Sequence, residues 1–92
     1  MGGIIYRTVL DLYDPQDLQW WGEGNLLLFS AKDKPNGLRK AYVLDGATKE
    51  LSSPFPFVKE GFTQISYAHK SKELAVLRDK ELTVYSDSGK EL

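Results

Sequence analysis

The chain has no cysteine, one histidine, one methionine and only four prolines. The missing thiols exclude disulfide staples, thiol nucleophiles and thiolate metal sites, and they lean toward a reducing compartment. An excess of one charge is also lacking. Thirteen acidic residues face twelve basic ones, for a net charge of −1. No global field therefore draws the chain to nucleic acid or to an anionic membrane. No apolar run approaches the roughly 20 residues of a membrane span. The start, Met1-Gly2-Gly3-Ile4-Ile5-Tyr6, has neither the basic region nor the apolar stretch of a signal peptide. Tyr6 stands where a myristoylation signal needs Ser or Thr. The default expectation is a cytoplasmic protein without a membrane segment.

Catalytic signatures are equally scarce. No Gly-x-Ser-x-Gly motif occurs, and Gly22-Glu23-Gly24 is too short for a phosphate-binding loop. His69 lies in the polar stretch Ala68-His69-Lys70-Ser71-Lys72, without a partner that the sequence identifies. Asp11, Asp14 and Asp17 recur every third residue, whereas a calcium loop alternates its ligands and turns on a glycine. Asp14 before Pro15 is more simply a turn former. The expectation is no catalytic residue, no cofactor and no metal. Lys32, Lys34, Arg39 and Lys40 decorate one hairpin, opposed there by Asp33. Such a basic hairpin could touch phosphate, but its simpler role is a solvated turn that guards a sheet edge. Nucleic acid is not an expected partner.

What the chain does have is a phrase said twice. Ala41-Tyr42-Val43-Leu44-Asp45-Gly46-Ala47-Thr48-Lys49-Glu50-Leu51 returns as Leu82-Thr83-Val84-Tyr85-Ser86-Asp87-Ser88-Gly89-Lys90-Glu91-Leu92. Each copy is an apolar strand, a polar turn and Lys-Glu-Leu. Upstream, Asn25–Phe29 and Leu74–Leu77 are apolar on both faces, as inner strands are. Pro35-Asn36-Gly37 closes a long hairpin after the first, and Asp79-Lys80 a short one after the second. Leu18-Gln19-Trp20 aligns with Ile65-Ser66-Tyr67. Tyr6–Leu12 aligns with Phe55–Val58, a segment that Pro54 and Pro56 would confine to a sheet edge. The reading is an all-β chain of two four-stranded antiparallel repeats, near 4–51 and 52–92, within one domain spanning 1–92.

The stretch from Lys72 to Leu92, with two strands about a tight turn and a Gly-Lys turn after them, resembles a blade of the β-propellers, in the broad sense of the WD-repeat, NHL and YVTN families. The resemblance extends over nearly the whole chain, and it implies four-stranded blades arranged around a ring. Rings run from about four to eight blades, so two blades imply completion by oligomerisation. Three copies, giving six blades, are the preferred count. In that ring Ile4–Leu12 would pair beside Leu82–Tyr85 of a neighbour. No Trp-Asp or Gly-His pair marks a subfamily, so the resemblance assigns no site residue.

Aromatic residues are the better functional clue. Trp20, aligned with Tyr67, is expected in the core. Trp21 must then face the other way, because adjacent strand residues point to opposite faces. Trp21 would then pack between blades or, in the sharper reading, meet a ligand, glycan or peptide, with Arg39 or His69 as polar neighbours. The resulting expectation is a non-enzymatic binding or scaffolding module. Its rivals are a small α+β protein with an enzymatic or nucleic-acid-binding role, since Asp14-Pro15-Gln16-Asp17 could open a helix and Lys72–Leu82 is rich in helix formers, and a fragment of a larger propeller.

Overall fold

The computed structural model describes residues 3, 7–22, 24–90 and 92. Seven strands form: β1 Tyr13–Trp20, β2 Leu26–Lys32, β3 Arg39–Asp45, β4 Leu51–Ser52, β5 Gln64–Ala68, β6 Glu73–Arg78 and β7 Glu81–Ser86. The first four make one antiparallel sheet in chain order, and the last three make a second. No helix occurs among the described residues, so both helical readings fall. Asp14-Pro15 lies inside a strand, and Lys72–Leu82 spans the β6–β7 hairpin. Short alternating or two-sided apolar runs bounded by turn residues outweigh helix propensity there.

The edge strands are not where the sequence alignment put them. Phe55–Val58 is a turn, closed by the Val58 N–H donating to the Phe55 carbonyl at 3.0 Å. Residues 7–12 form no strand, and Ile4, Ile5 and Tyr6 lie outside the described residues. The prolines explain the first case, since the segment Pro54–Pro56 has two positions without an N–H to give a ladder. The edge strand instead follows its sheet. Leu51 pairs with Leu44 and Ser52 with Val43. At the matching place Leu92 donates its N–H to the Val84 carbonyl at 2.8 Å. In both copies the turn is thus followed by a leucine that returns to the preceding strand.

Polar side chains fix those turns. Asp45 accepts the N–H groups of Ala47 and Thr48. Ser86 accepts the N–H of Lys90 at 3.0 Å. Both act through short side-chain acceptors that replace missing backbone partners.

The core lies between the two sheets. Leu28, Ala41 and Val43 from the first meet Ile65, Leu74 and Val76 from the second, and the β4–β5 connection adds Phe55 and Phe62. A smaller apolar cluster, Phe29, Ala31 and Leu44, sits on the outer face of the first sheet, where Leu10 and Leu12 pack against it. The opposite parity of Leu28 and Phe29 along one strand puts them on these two faces.

The two ladders run in parallel terms. With Val43 set against Val84, the pairings Leu28↔Val43 and Gln19↔Leu28 correspond to Ala75↔Val84 and Ser66↔Ala75. Trp20, paired with Leu27, corresponds to Tyr67, paired with Leu74. Yet Val43 and Leu28 face the second sheet, while Tyr85, Leu74 and Ile65 face the first. The sheets thus stack in the same sense: the front of one meets the back of the next.

Candidate functional site

β1 departs from a regular strand twice. Its register with β2 slips between Tyr13 and Gln16 and again between Gln16 and Gln19. Asp14 (φ 51°) and Asp17 (φ 60°) sit in the left-handed region at these bulges, which Asp tolerates better than most side chains. The bulges aim both carboxylates at structural partners. Asp14 pairs with Arg39 at 2.5 Å, and the Arg39 guanidinium also donates to the Asp14 carbonyl and to Ser30 Oγ. Asp17 accepts from Ser30 Oγ at 3.1 Å and from the Ile65 N–H at 3.3 Å.

Gln19 completes a clamp between the sheets. Its Oε1 accepts the Tyr67 N–H at 2.7 Å, and its Nε2 donates to the carbonyls of Ile65 (3.2 Å) and Asp17 (2.8 Å). One side-chain amide offers a donor and an acceptor and so imitates a neighbouring strand. β5 is an edge strand, and its outward backbone groups are engaged by β1 side chains instead of another ladder. The polar face of β1, with Asp17, Gln19 and then Trp21, therefore turns toward the second sheet.

This reverses the expectation for Trp20. It is 59% exposed, and Leu18 beside it is 71% exposed. Trp21 is the half-buried indole, edge-on to Phe55 at 5.2 Å and to Tyr67 at 6.3 Å. A change of parity by one residue moves a whole strand face to the other side. The sequence reading assigned the apolar parity to the core, but β1 uses its polar parity there for the clamp. The Trp21 Nε1 is buried without a hydrogen-bond partner, a costly state for a donor.

Of the three residues expected to meet a ligand, two come together. His69 is edge-on to Tyr67 at 5.2 Å, and Tyr67 links it to Trp21. The Tyr67 hydroxyl donates to Asp87 at 3.4 Å. Burial, then the Asp87 charge, pushes the Tyr67 phenol above its usual value. Arg39 lies at the far end of the sheet, next to Lys32 in the ladder, with its guanidinium committed to Asp14 and Ser30.

The basic hairpin is largely neutralised. Lys40 lies 3.1 Å from Asp33 and 3.5 Å from Glu60. The hydrogen bond from Lys40 holds the Asp33 carboxyl below its usual value, and the same bond holds the Lys40 ammonium above its own. Among the described residues no cluster of three His, Asp or Glu could hold a metal ion. No helix there is long and apolar enough to cross a membrane.

A further apolar surface lies on the outer face of the first sheet. Trp20, Leu27, Leu44 and Leu51 stand in one row across its four strands. Beside that row a groove of about 620 Å³ opens between residues 7–10 and β1, walled by Leu10, Pro15, Leu18, Leu27, Phe29 and Leu44. The signal was present in the sequence, since β2 carries apolar residues at both parities. What the sequence left open was which parity, Leu26 and Leu28 or Leu27 and Phe29, meets the second sheet; it is the first pair that does. No family model, no curated protein and no solved structure matches the chain.

Proposed function

We propose that this chain is a non-enzymatic binding or scaffolding module of two propeller-like blades, working through the outer face of its first sheet. The observation that carries the reading is a contrast between corresponding positions. Tyr67, paired with Leu74, is half-buried under the first sheet, whereas Trp20, at the same ladder position of the first sheet, is 59% exposed, with Leu18 beside it 71% exposed. Leu10 and Leu12 cover the centre of this face, Phe29 and Leu44, and leave Leu18, Trp20 and Leu51 open around it. Contiguous apolar surface of this kind marks an interaction site on a soluble protein.

The chemistry of the face favours an apolar protein segment over a glycan. The exposed side chains Leu18, Trp20 and Leu51 offer hydrocarbon and a single indole N–H, while a sugar needs hydrogen-bonding partners for its hydroxyls. Enzymatic readings draw less support. The carboxylates of Asp14, Asp17, Asp33 and Asp45 all hold up the fold. His69 meets a tyrosine ring.

The test is a displayed library of random peptides panned against dilute protein, next to a glycan array. Apolar extended peptides should be enriched, and Leu18→Asp should abolish them while the fold stays intact. No enrichment by a monomeric chain, or glycan binding indifferent to Leu18→Asp, overturns the reading.

A further inference from the structure

We propose that the partner of the open face is a second copy of this chain, docked front to back. The inference rests on the binding-module reading and names its partner. Because the two sheets stack in the same sense, each turns one face away from the other, and the two faces are of unlike kind. One is the outer face of the first sheet, where Leu18 and Trp20 are exposed and Leu10 and Leu12 lie over Phe29 and Leu44. Trp20, Leu27, Phe29 and Leu44 there correspond in the ladders to Tyr67, Leu74, Val76 and Tyr85, on the face that the second sheet turns to the first.

The other outward face belongs to the second sheet. Ala75, Leu77, Leu82 and Val84 point away from the core there, and Leu82 is 65% exposed. These positions correspond to Leu28, Ser30, Ala41 and Val43, the face that the first sheet turns to the second. The contact inside the chain is therefore the template for a contact between chains. The Leu82 face of one copy would cover the Leu18 face of the next as Val43 and Leu28 cover Ile65 and Leu74.

Such an interface is heterologous, and it either closes a ring or runs on. Rings of about four to eight blades would take two to four copies. Ser66 holds the place of Gln19, so the contact between copies lacks the amide clamp and rests on apolar area. Leu10 and Leu12 lie on the receiving face and must move aside. Among the described residues, no hydrogen bond ties residues 7–12 to the sheet, so the segment is held by those side chains and can be displaced.

Light scattering on the whole chain at micromolar concentration, with 10.4 kDa as the unit mass, tests the proposal. A discrete species of two to four units is expected. Leu18→Glu and Leu82→Glu should each give monomers with an unchanged far-UV spectrum, because both side chains are exposed and neither substitution empties the core. Mixing the two variants should restore one contact and give a species of two units, since each carries the face that the other has lost. A wild-type monomer that still selects apolar peptides overturns the second copy and leaves the module reading standing. A monomer that selects none overturns both. An assembly that survives both substitutions, or variants that fail to complement, also overturns the front-to-back contact.

Discussion

Trp20 and Tyr67 hold the same place in their sheets, each facing a leucine across the ladder, but only Tyr67 has a second sheet over it. The energetic weight of the two tryptophans follows from that difference. Trp20→Ala should change the stability of dilute protein by about 0.5 kcal/mol or less, as surface substitutions do. Trp21→Ala should cost about 3 kcal/mol or more, because it empties a site between Phe55 and Tyr67. Chemical denaturation of both variants at low concentration checks the ranking. Equal losses would place Trp20 in the core after all.

Gln19→Ala removes three hydrogen bonds at once and leaves the Tyr67 N–H and the Ile65 carbonyl of an edge strand without their partner. The expected loss is about 1–3 kcal/mol, the range for stranding partly buried polar groups. Gln19→Glu keeps the acceptor for Tyr67 but turns the donor into a second acceptor facing the Ile65 carbonyl, so it should not restore full stability. Amide exchange separates the effects. Tyr67 should lose protection in the alanine variant and keep more of it in the glutamate variant.

The alkaline limit of the fold should carry a contribution from Tyr67. Burial and the Asp87 carboxylate raise its phenol, so the folded state holds the proton longer than the unfolded chain. Stability from this group is fully present below the unfolded value, near pH 10, and is lost as pH rises through the higher folded value. Tyr67→Phe should flatten the fall in stability above about pH 10. Tyr42 shifts in the same direction, mainly through burial, so some slope should remain. An unchanged alkaline profile in Tyr67→Phe would show that Tyr67 ionises equally in both states.

The strand order of this fold was legible because it is written in local chemistry. Two-sided apolar runs mark β2 and β6, and turn residues bound β3 and β7. Edge strands carry no such signature. Leu51–Ser52 is two residues long, and only its place after Lys49-Glu50 betrays it. The faces were harder still. Parity along β1 predicts which residues share a side but not which side meets the core, and the bulges at Asp14 and Asp17 break that parity. Arg39 reads from sequence as an exposed hairpin cation, yet it is only 7% exposed, because Asp14 and Ser30 supply its partners from two neighbouring strands. Long-range pairing of that kind leaves no trace in spacing.

Two glycines with similar backbones should respond very differently to a methyl group. Gly24 (φ +88°) and Gly89 (φ +100°) both lie where L-residues are strained, which costs roughly 1–2 kcal/mol in each case. A Cβ at Gly24 meets nothing within 4 Å, so Gly24→Ala should cost little beyond that strain. A Cβ at Gly89 falls 2.7 Å from Phe57 Cδ1. Phe57 has little freedom to yield, because its ring packs against Phe55 at 5.9 Å and Tyr85 at 5.2 Å. Overpacking adds about 1–3 kcal/mol, so Gly89→Ala should be the more damaging by that amount. Because Gly89 closes the turn that brings Leu92 back to Val84, the loss should appear first at the β7 edge. Thermal melts of the two variants, with amide exchange at Leu92, decide the matter. Equal destabilisation would mean that Phe57 moves aside freely and that the aromatic packing behind it is loose.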